Sequence, residues 1–398
     1  MTSQLADDIQ ALSDIERPSA SPGEESAARW IASRFKQIGL QAQVDSFKFN
    51  PDYWTIWGSH GLLASAGAGL ALVGRRPARA GAALSALTAI SFWGELTREY
   101  DLLRKLFPTR NSYNVLARLP NPGASRVLII SAHHDAPRSG LVFHPRIIRT
   151  LSRIFGPARD QRVPFGGTLA AMLSISAGAA MYGLKLRDKP PRRSLLLAGL
   201  VTLLFSLSMW NISRGRLSPG ANDDASGVAV LLALAEATAR EPLAGVEVWF
   251  LSTGSEEGIL GGMQAFMGHY RRDLEGKEPF VLNLEMLGSG HICYLAGEGF
   301  VRRYPYSAEA VARAAAVAAE PKFEAVRTLH TAPFATDALV ATQLGIPAVT
   351  VASVSDDGSV PHYHWPTDTP ENVDLRSVEN AYTFCHRLIQ SLTEDRNS

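Results

Sequence analysis

Four long apolar runs, grouped as two pairs around short basic loops, interrupt a chain that otherwise alternates strands with helices. Residues 56–73 and 80–93 flank the loop 74–79, which carries Arg75, Arg76 and Arg79; residues 163–184 and 194–212 flank the loop 185–193. The second pair has no charge in either run, and each run approaches the ~20 residues that cross a bilayer core. The first pair is weaker, because its second run is short and both of its runs are rich in Ala, Gly and Ser. Small residues such as Gly166, Gly167, Ala170, Ala171, Gly178 and Gly183 let helices approach closely in lipid. Two membrane helical hairpins are therefore expected, at 56–94 and 163–213. Buried helices of a large soluble core are the alternative.

With the hairpins set aside, residues 1–55, 95–162 and 214–398 read as one α/β domain. Residues 5–16 and 22–39 have helical character; Ser21 and Pro22 start the second helix, Glu24 and Glu25 fill its first turn, and Gly39 ends it. Strands are expected at 41–49, 113–119, 126–131, 246–252, 280–285 and 348–352, and helices at 227–240, 308–319 and 375–392. The alternation implies a mostly parallel central sheet with helices on both faces. Ligands of such sheets bind beyond the carboxyl ends of the strands. Segment 137–163 reads as a connector next to the membrane or as a surface loop.

Composition narrows the partners. The 398 residues carry a net charge of +1 with no block of like charge, so nothing favours nucleic acid. Cys293 and Cys385 are too far apart in sequence and too few for a disulfide framework or a thiolate cluster, and read as buried thiols. Residues 1–50 lack the charged and apolar regions of a secretory signal.

Five nitrogen or oxygen donors then stand out, in the order His133, Asp223, Glu257, Glu285 and His364, each expected where a strand ends. Such donors suit one or two zinc ions. The strand at 126–131 runs into Ala132, His133, His134 and Asp135. On an extended chain His133 and Asp135 point the same way, so the carboxylate can fix the imidazole tautomer. His134 faces the other way and reads as structural or surface. Asp223 and Asp224 lie side by side ahead of a helix, and adjacent carboxylates repel unless cations or donors neutralise them. Glu256 and Glu257 leave an apolar strand together, so one can bind metal while the other handles a proton. Glu285 is a charge in the apolar segment 281–287, costly without a partner.

As a set these segments resemble the M28 family of zinc peptidases, which includes aminopeptidases, glutamate carboxypeptidases and glutaminyl cyclases. The resemblance rests on residues 132–135, 220–227, 256–258, 283–286 and 363–369, with support from Phe334-Ala-Thr-Asp337 ahead of Leu344-Gly-Ile-Pro347. It implies an aminopeptidase hydrolysing peptide bonds, with two zinc ions bridged by Asp223; the apolar hairpins, not the resemblance, make it membrane-associated. One ion would take His133 and Glu285, the other Glu257 and His364. Glu256 would be the general base and Asp135 the partner of His133. The family's usual ligand at position 285 is aspartate, so the longer Glu285 is a departure. A larger one is the interval 134–222, which holds the second hairpin where relatives have a short loop, and which places lipid near the site mouth.

Other readings stay open: a glutaminyl-cyclase-like acyltransferase with one zinc, a membrane amidohydrolase acting on lipid-linked or N-acyl amides, and a non-catalytic receptor or scaffold. Basic hairpin loops imply cytoplasmic tips and an extracytoplasmic catalytic domain on a multi-pass cell-membrane protein. Basic residues, Arg104, Arg159, Arg162 and Arg214 among them, also flank the opposite ends.

Overall fold

The structure, a computed structural model, describes residues 2–155, 165–330, 332, 334–356 and 358–394. In chain order the elements are α1 (Thr2–Ser13), α2 (Pro22–Gln37), β1 (Ala42–Phe49), α3 (Tyr53–Val73), α4 (Arg75–Thr97), β2 (Arg110–Leu119), β3 (Arg126–His133), α5 (Pro145–Phe155), α6 (Gly166–Gly183), α7 (Arg192–Ser213) and α8 (Ser226–Arg240). There follow β4 (Val246–Thr253), α9 (Gly261–Tyr270), β5 (Glu278–Glu285), β6 (His291–Leu295), β7 (Gly297–Glu298), β8 (Tyr304–Pro305), α10 (Ala308–Ala318), β9 (Arg327–Leu329), α11 (Asp337–Gln343), β10 (Ala348–Val354) and α12 (Leu375–Glu394).

Eight strands form one sheet in the order β1-β2-β4-β3-β5-β10-β6-β9. Its centre, β4-β3-β5-β10, is parallel, whereas β1, β2 and β6 run antiparallel to their inner neighbours. β2 and β3 are joined by the turn after Leu119, yet β4 pairs between them. Successive side chains alternate faces. Leu128, Ile130, Val248, Phe250, Leu282 and Val351 pack under α1, α2, α8, α10 and α12. Val127, Ile129, Trp249, Leu251 and Val281 pack on the other face under α9 and α11. This is the α/β architecture the sequence implies. Cys293 and Cys385 are both buried and free.

Helix starts follow the expected chemistry. The Ser21 hydroxyl accepts from the Glu24 amide at 3.2 Å, with Pro22 opening α2. α9, α11, β6 and β9 escape the sequence reading because they are short and lack clear periodicity.

The four helices from the apolar runs pack together around a third core that includes Trp57, Ala64, Phe92, Met172 and Ile175. α3 sits close to its neighbours because glycines face them: a Cβ on Gly61 would lie 2.5 Å from the Thr202 carbonyl oxygen, and one on Gly67 2.8 Å from that of Gly81. Polar pairs cross the same seams, Ser65 Oγ to Thr202 Oγ1 at 2.8 Å and His60 Nε2 to Ser91 Oγ at 2.9 Å. Among the described residues two helices are long and apolar enough to cross a membrane, Tyr53–Val73 and Arg192–Ser213, one from each pair.

One detail departs from the expected hairpins. The loop at 74–79 shrinks to Gly74, because Arg75–Arg79 form the first turn of α4, where Pro77 needs no amide partner. α6 begins at Gly166, and position 163 lies outside the described residues, as do Arg159 and Arg162. Of the expected connector, residues 145–155 are helical and 156–163 lie outside the described residues. The two hairpin tips are also tied together: Arg75 Nη1 donates to the carbonyls of Tyr182 and Arg187, each at 3.0 Å, and Arg79 Nε to that of Gly183 at 2.8 Å.

Arg104, one of the basic residues beyond the first hairpin, is buried instead of free. It pairs with Glu95 at 2.8 Å and donates to the carbonyls of Asn50 at 2.7 Å and Gly258 at 3.3 Å. One guanidinium thus holds α4 to the loop that carries Glu256 and Glu257. Removing one member of a buried ion pair leaves an uncompensated charge, so Glu95→Ala should destabilise the protein by about 3–5 kcal/mol. A denaturant melt of wild type and variant measures this, and equal midpoints would contradict it.

Candidate metal centre

Three neighbouring parallel strands deliver three of the five donors at one end of the sheet. His133 is the last residue of β3, Glu285 the last of β5, and Glu257 follows β4 by four residues. The other two do not sit at strand ends as expected. Asp223 lies in the kinked segment 221–225 that leads into α8, and His364 in the loop after β10. Sharp local turns aim these groups. Ser255, Met286 and His364 each have φ near +50°, a conformation that side chains larger than Gly seldom adopt. The Asp223–Asp224 peptide is cis.

The two Asp223 oxygens look in different directions. Oδ1 lies 3.1 Å from His133 Nε2, and that nitrogen is 3.6 Å from Glu285 Oε1. Oδ2 lies 3.4 Å from His364 Nε2, and that nitrogen is 3.3 Å from Glu257 Oε1. The donor atoms of His133, Asp223 and Glu257 fall within 4.8 Å of one another, as do those of His133, Asp224 and Glu285. Asp224 is already engaged: it accepts from the amides of Met286 at 2.9 Å, Gly227 at 3.1 Å and His133 at 3.3 Å. It braces the strand ends, and the five expected donors remain the convergent set.

Asp135 joins two parts of the site. Its Oδ1 lies 3.5 Å from His133 Nδ1 and accepts from the Glu256 amide at 3.0 Å, while Oδ2 accepts from the Glu257 amide at 3.1 Å and the Ser19 hydroxyl at 2.5 Å. His133 Nδ1 also meets the Asp135 main-chain carbonyl at 3.1 Å, so the ring orientation of His133 and the position of both glutamates depend on one residue. His134 is fully buried, with Nδ1 2.9 Å from Ser252 Oγ; of the two alternatives for it, structural and surface, the structural one holds.

Several supporting groups carry no local sequence signal. Glu24 reads as a first-turn helix acid, yet it is buried and accepts from the Tyr113 amide at 2.9 Å, the Ser112 hydroxyl at 2.6 Å and the Ser255 amide at 3.1 Å. It thereby fixes the turn ahead of Glu256. Asp368 accepts from the amides of Asn222 at 2.8 Å and Asp223 at 3.1 Å, holding the Asp223 segment from behind. Arg17 donates to the carbonyls of Pro219 and Gly220, each at 2.6 Å. Long-range packing alone brings these together.

The electrostatics ask for cations. Asp223, Glu256 and Glu285 are 2%, 8% and 5% exposed, so several carboxylates share one nearly dry space. Burial, with Glu285 and Glu257 adding to it against His133, pushes the Glu256 carboxyl well above its usual range. Burial raises Glu257 to about 7, with Asp223 adding to it and His364 opposing. Burial works to lower His133, but Asp135, Asp223 and Glu285 outweigh it and raise the imidazole well above its ordinary value. Asp223 Oδ2 and His364 Nδ1 are buried without a hydrogen-bond partner among the described residues. Unpaired buried polar atoms amid clustered carboxylates suit bound zinc, whose preferred oxygen and nitrogen donors are those present.

The α/β fold is one that solved zinc aminopeptidases share. Residues 206–389 match the model of peptidase family M28, so the M28 resemblance seen in the sequence is borne out. Among solved structures, the zinc aminopeptidase BSAP from Bacillus subtilis is 14% identical with a TM-score of 0.58, covering 98% of this chain and 95% of its own. The aminopeptidase from Aneurinibacillus sp. strain AM-1 is 17% identical with a TM-score of 0.56, covering 98% and 93%. A glutaminyl cyclase from Fimbriiglobus ruber is 15% identical with a TM-score of 0.55, covering 98% and 95%. At these identities the likeness is one of fold.

Proposed function

We propose that this chain is a membrane-associated dinuclear zinc metallopeptidase, acting as an aminopeptidase, with Glu256 as general base. The observation that carries the reading is the split of Asp223, one oxygen toward His133 and Glu285 and the other toward His364 and Glu257. His133 and Glu285 would hold one ion, Glu257 and His364 the other, with Asp223 between them. Zinc bound there supplies an acidified water and polarises the substrate carbonyl.

The protein's own groups account for the rest. Glu256 sits beside the donors but is free of hydrogen bonds to its carboxylate among the described residues, while its amide is anchored on Asp135. Its carboxylate takes a proton from the attacking water and returns it to the departing amine. Asp135 holds His133 with Nε2 toward the site. The two carboxyl-bearing loops are kept in place by Glu24 and Asp368.

Membrane association is supported by α3 and α7 and by the outward leucines of α7, Leu196, Leu197, Leu200, Leu204 and Leu207, which are all exposed. Contiguous apolar surface of this kind is costly in water. On this reading 56–94 and 163–213 are hairpins in a multi-pass cell-membrane protein, and 1–55, 95–162 and 214–398 form the hydrolase, placed outside by the basic tips.

Three substrates test the activity: an aminoacyl p-nitroanilide, an N-acyl amide and a peptide with N-terminal Gln. Hydrolysis of the first, with little action on the second and no cyclised product from the third, is expected. Preferential cleavage of the N-acyl amide, or cyclisation of the Gln peptide, would overturn the aminopeptidase reading.

A further inference from the structure

A cavity of about 260 Å³ opens beside Glu257, where the start of α3 meets the loop after β3. Its wall includes Trp54 and Asp52 from the start of α3, Ser213 from the end of α7, and Ser19, Arg110 and Arg138. The helical bundle therefore forms part of the approach to the metal centre.

The charges on this wall are unequally engaged. Asp52 caps α3, accepting from the Thr55 amide at 3.1 Å and the Thr55 hydroxyl at 2.6 Å. Glu257 faces His364, and Ser19 is committed to Asp135. Arg138 donates to the Gly215 carbonyl at 3.1 Å, which pins it three residues beyond Asp135, and it has no carboxylate partner among the described residues. Arg110, exposed at the start of β2, likewise forms no ion pair among the described residues. Two guanidiniums without carboxylates thus border a small cavity next to a metal donor.

We propose that this cavity receives the part of a peptide beyond the scissile bond, and that Arg138 together with Arg110 binds its free terminal carboxylate. Guanidinium forks match carboxylates and form the stronger class of hydrogen bond. The volume falls just below the ~300–1,000 Å³ typical of drug-sized ligands, so one or two residues fit. Trp54 supplies an apolar surface against them. The substrates this geometry selects are di- and tripeptides with an unblocked carboxyl end. The inference rests on the peptidase reading and narrows it.

Binding is measured in zinc-supplemented Glu256→Gln protein through tryptophan fluorescence, with Leu-Gly and Leu-Gly amide as the probes. The free acid should bind about tenfold or more tightly than the amide, as one charged hydrogen bond commonly provides. Arg138→Gln in that background should bring the preference to within about twofold, and Arg110→Gln, at an exposed position, should reduce it. Equal affinity for acid and amide, no binding of either, or a preference untouched by both substitutions would overturn the inference. Hydrolysis of Leu-Gly itself by wild type is scored separately. Its absence, with the acid preference intact, would sink the peptidase reading and leave the carboxylate site standing.

Discussion

Glu256→Gln is expected to keep its full zinc content while kcat falls by about 10²–10⁴-fold, the usual contribution of a general base. Gln has the same size and shape, and the backbone amide that anchors this residue to Asp135 is untouched. What disappears is the ability to accept a proton at a group whose burial keeps its proton affinity high. KM should change little, since the substitution acts on the chemical step. Zinc analysis and steady-state kinetics on the same preparation check this. Unchanged turnover, or loss of metal along with activity, would contradict the assigned role.

Asp223→Ala should have the larger effect on metal. Because its two oxygens look toward the two different imidazoles, its removal takes a donor from both prospective shells at once. Zinc per chain should fall from about two to well below one after dialysis, with activity lost in parallel. His364→Ala, which touches one shell, should retain about one zinc. The contrast matters more than either value, since only a bridging carboxylate makes the first substitution worse than the second. Equal retention in both variants would show that Asp223 does not bridge.

Much of the fold was legible because its signals are local. The apolar strands at 126–131, 246–252 and 280–285 announce a buried parallel sheet, and Ser21 with Pro22 announces α2. The donors at His133, Glu257 and Glu285 follow from the rule that such sheets present their sites at strand ends. Asp223 and His364 fall outside that rule: the first sits on a kinked entry to α8 and the second in a loop, and neither position has a periodic pattern to read.

The supporting groups were not legible for a different reason. Nothing near Glu24 in sequence reveals that it will meet Ser112 and Ser255, and Arg17 finds Pro219 only after the chain has closed on itself. The bundle shows the same division. Its helices are evident from hydropathy, whereas the placing of Trp54 beside Glu257 and of Arg104 against Gly258 depends on tertiary packing. A segment that reads as a membrane anchor thus also shapes the entrance to the site.

The zinc content of the purified full-length chain tests the central claim most directly. Elemental analysis after removal of loosely held metal should give about two zinc per chain. A single zinc at saturation would contradict the bridged pair, and none would remove the basis for a metallopeptidase.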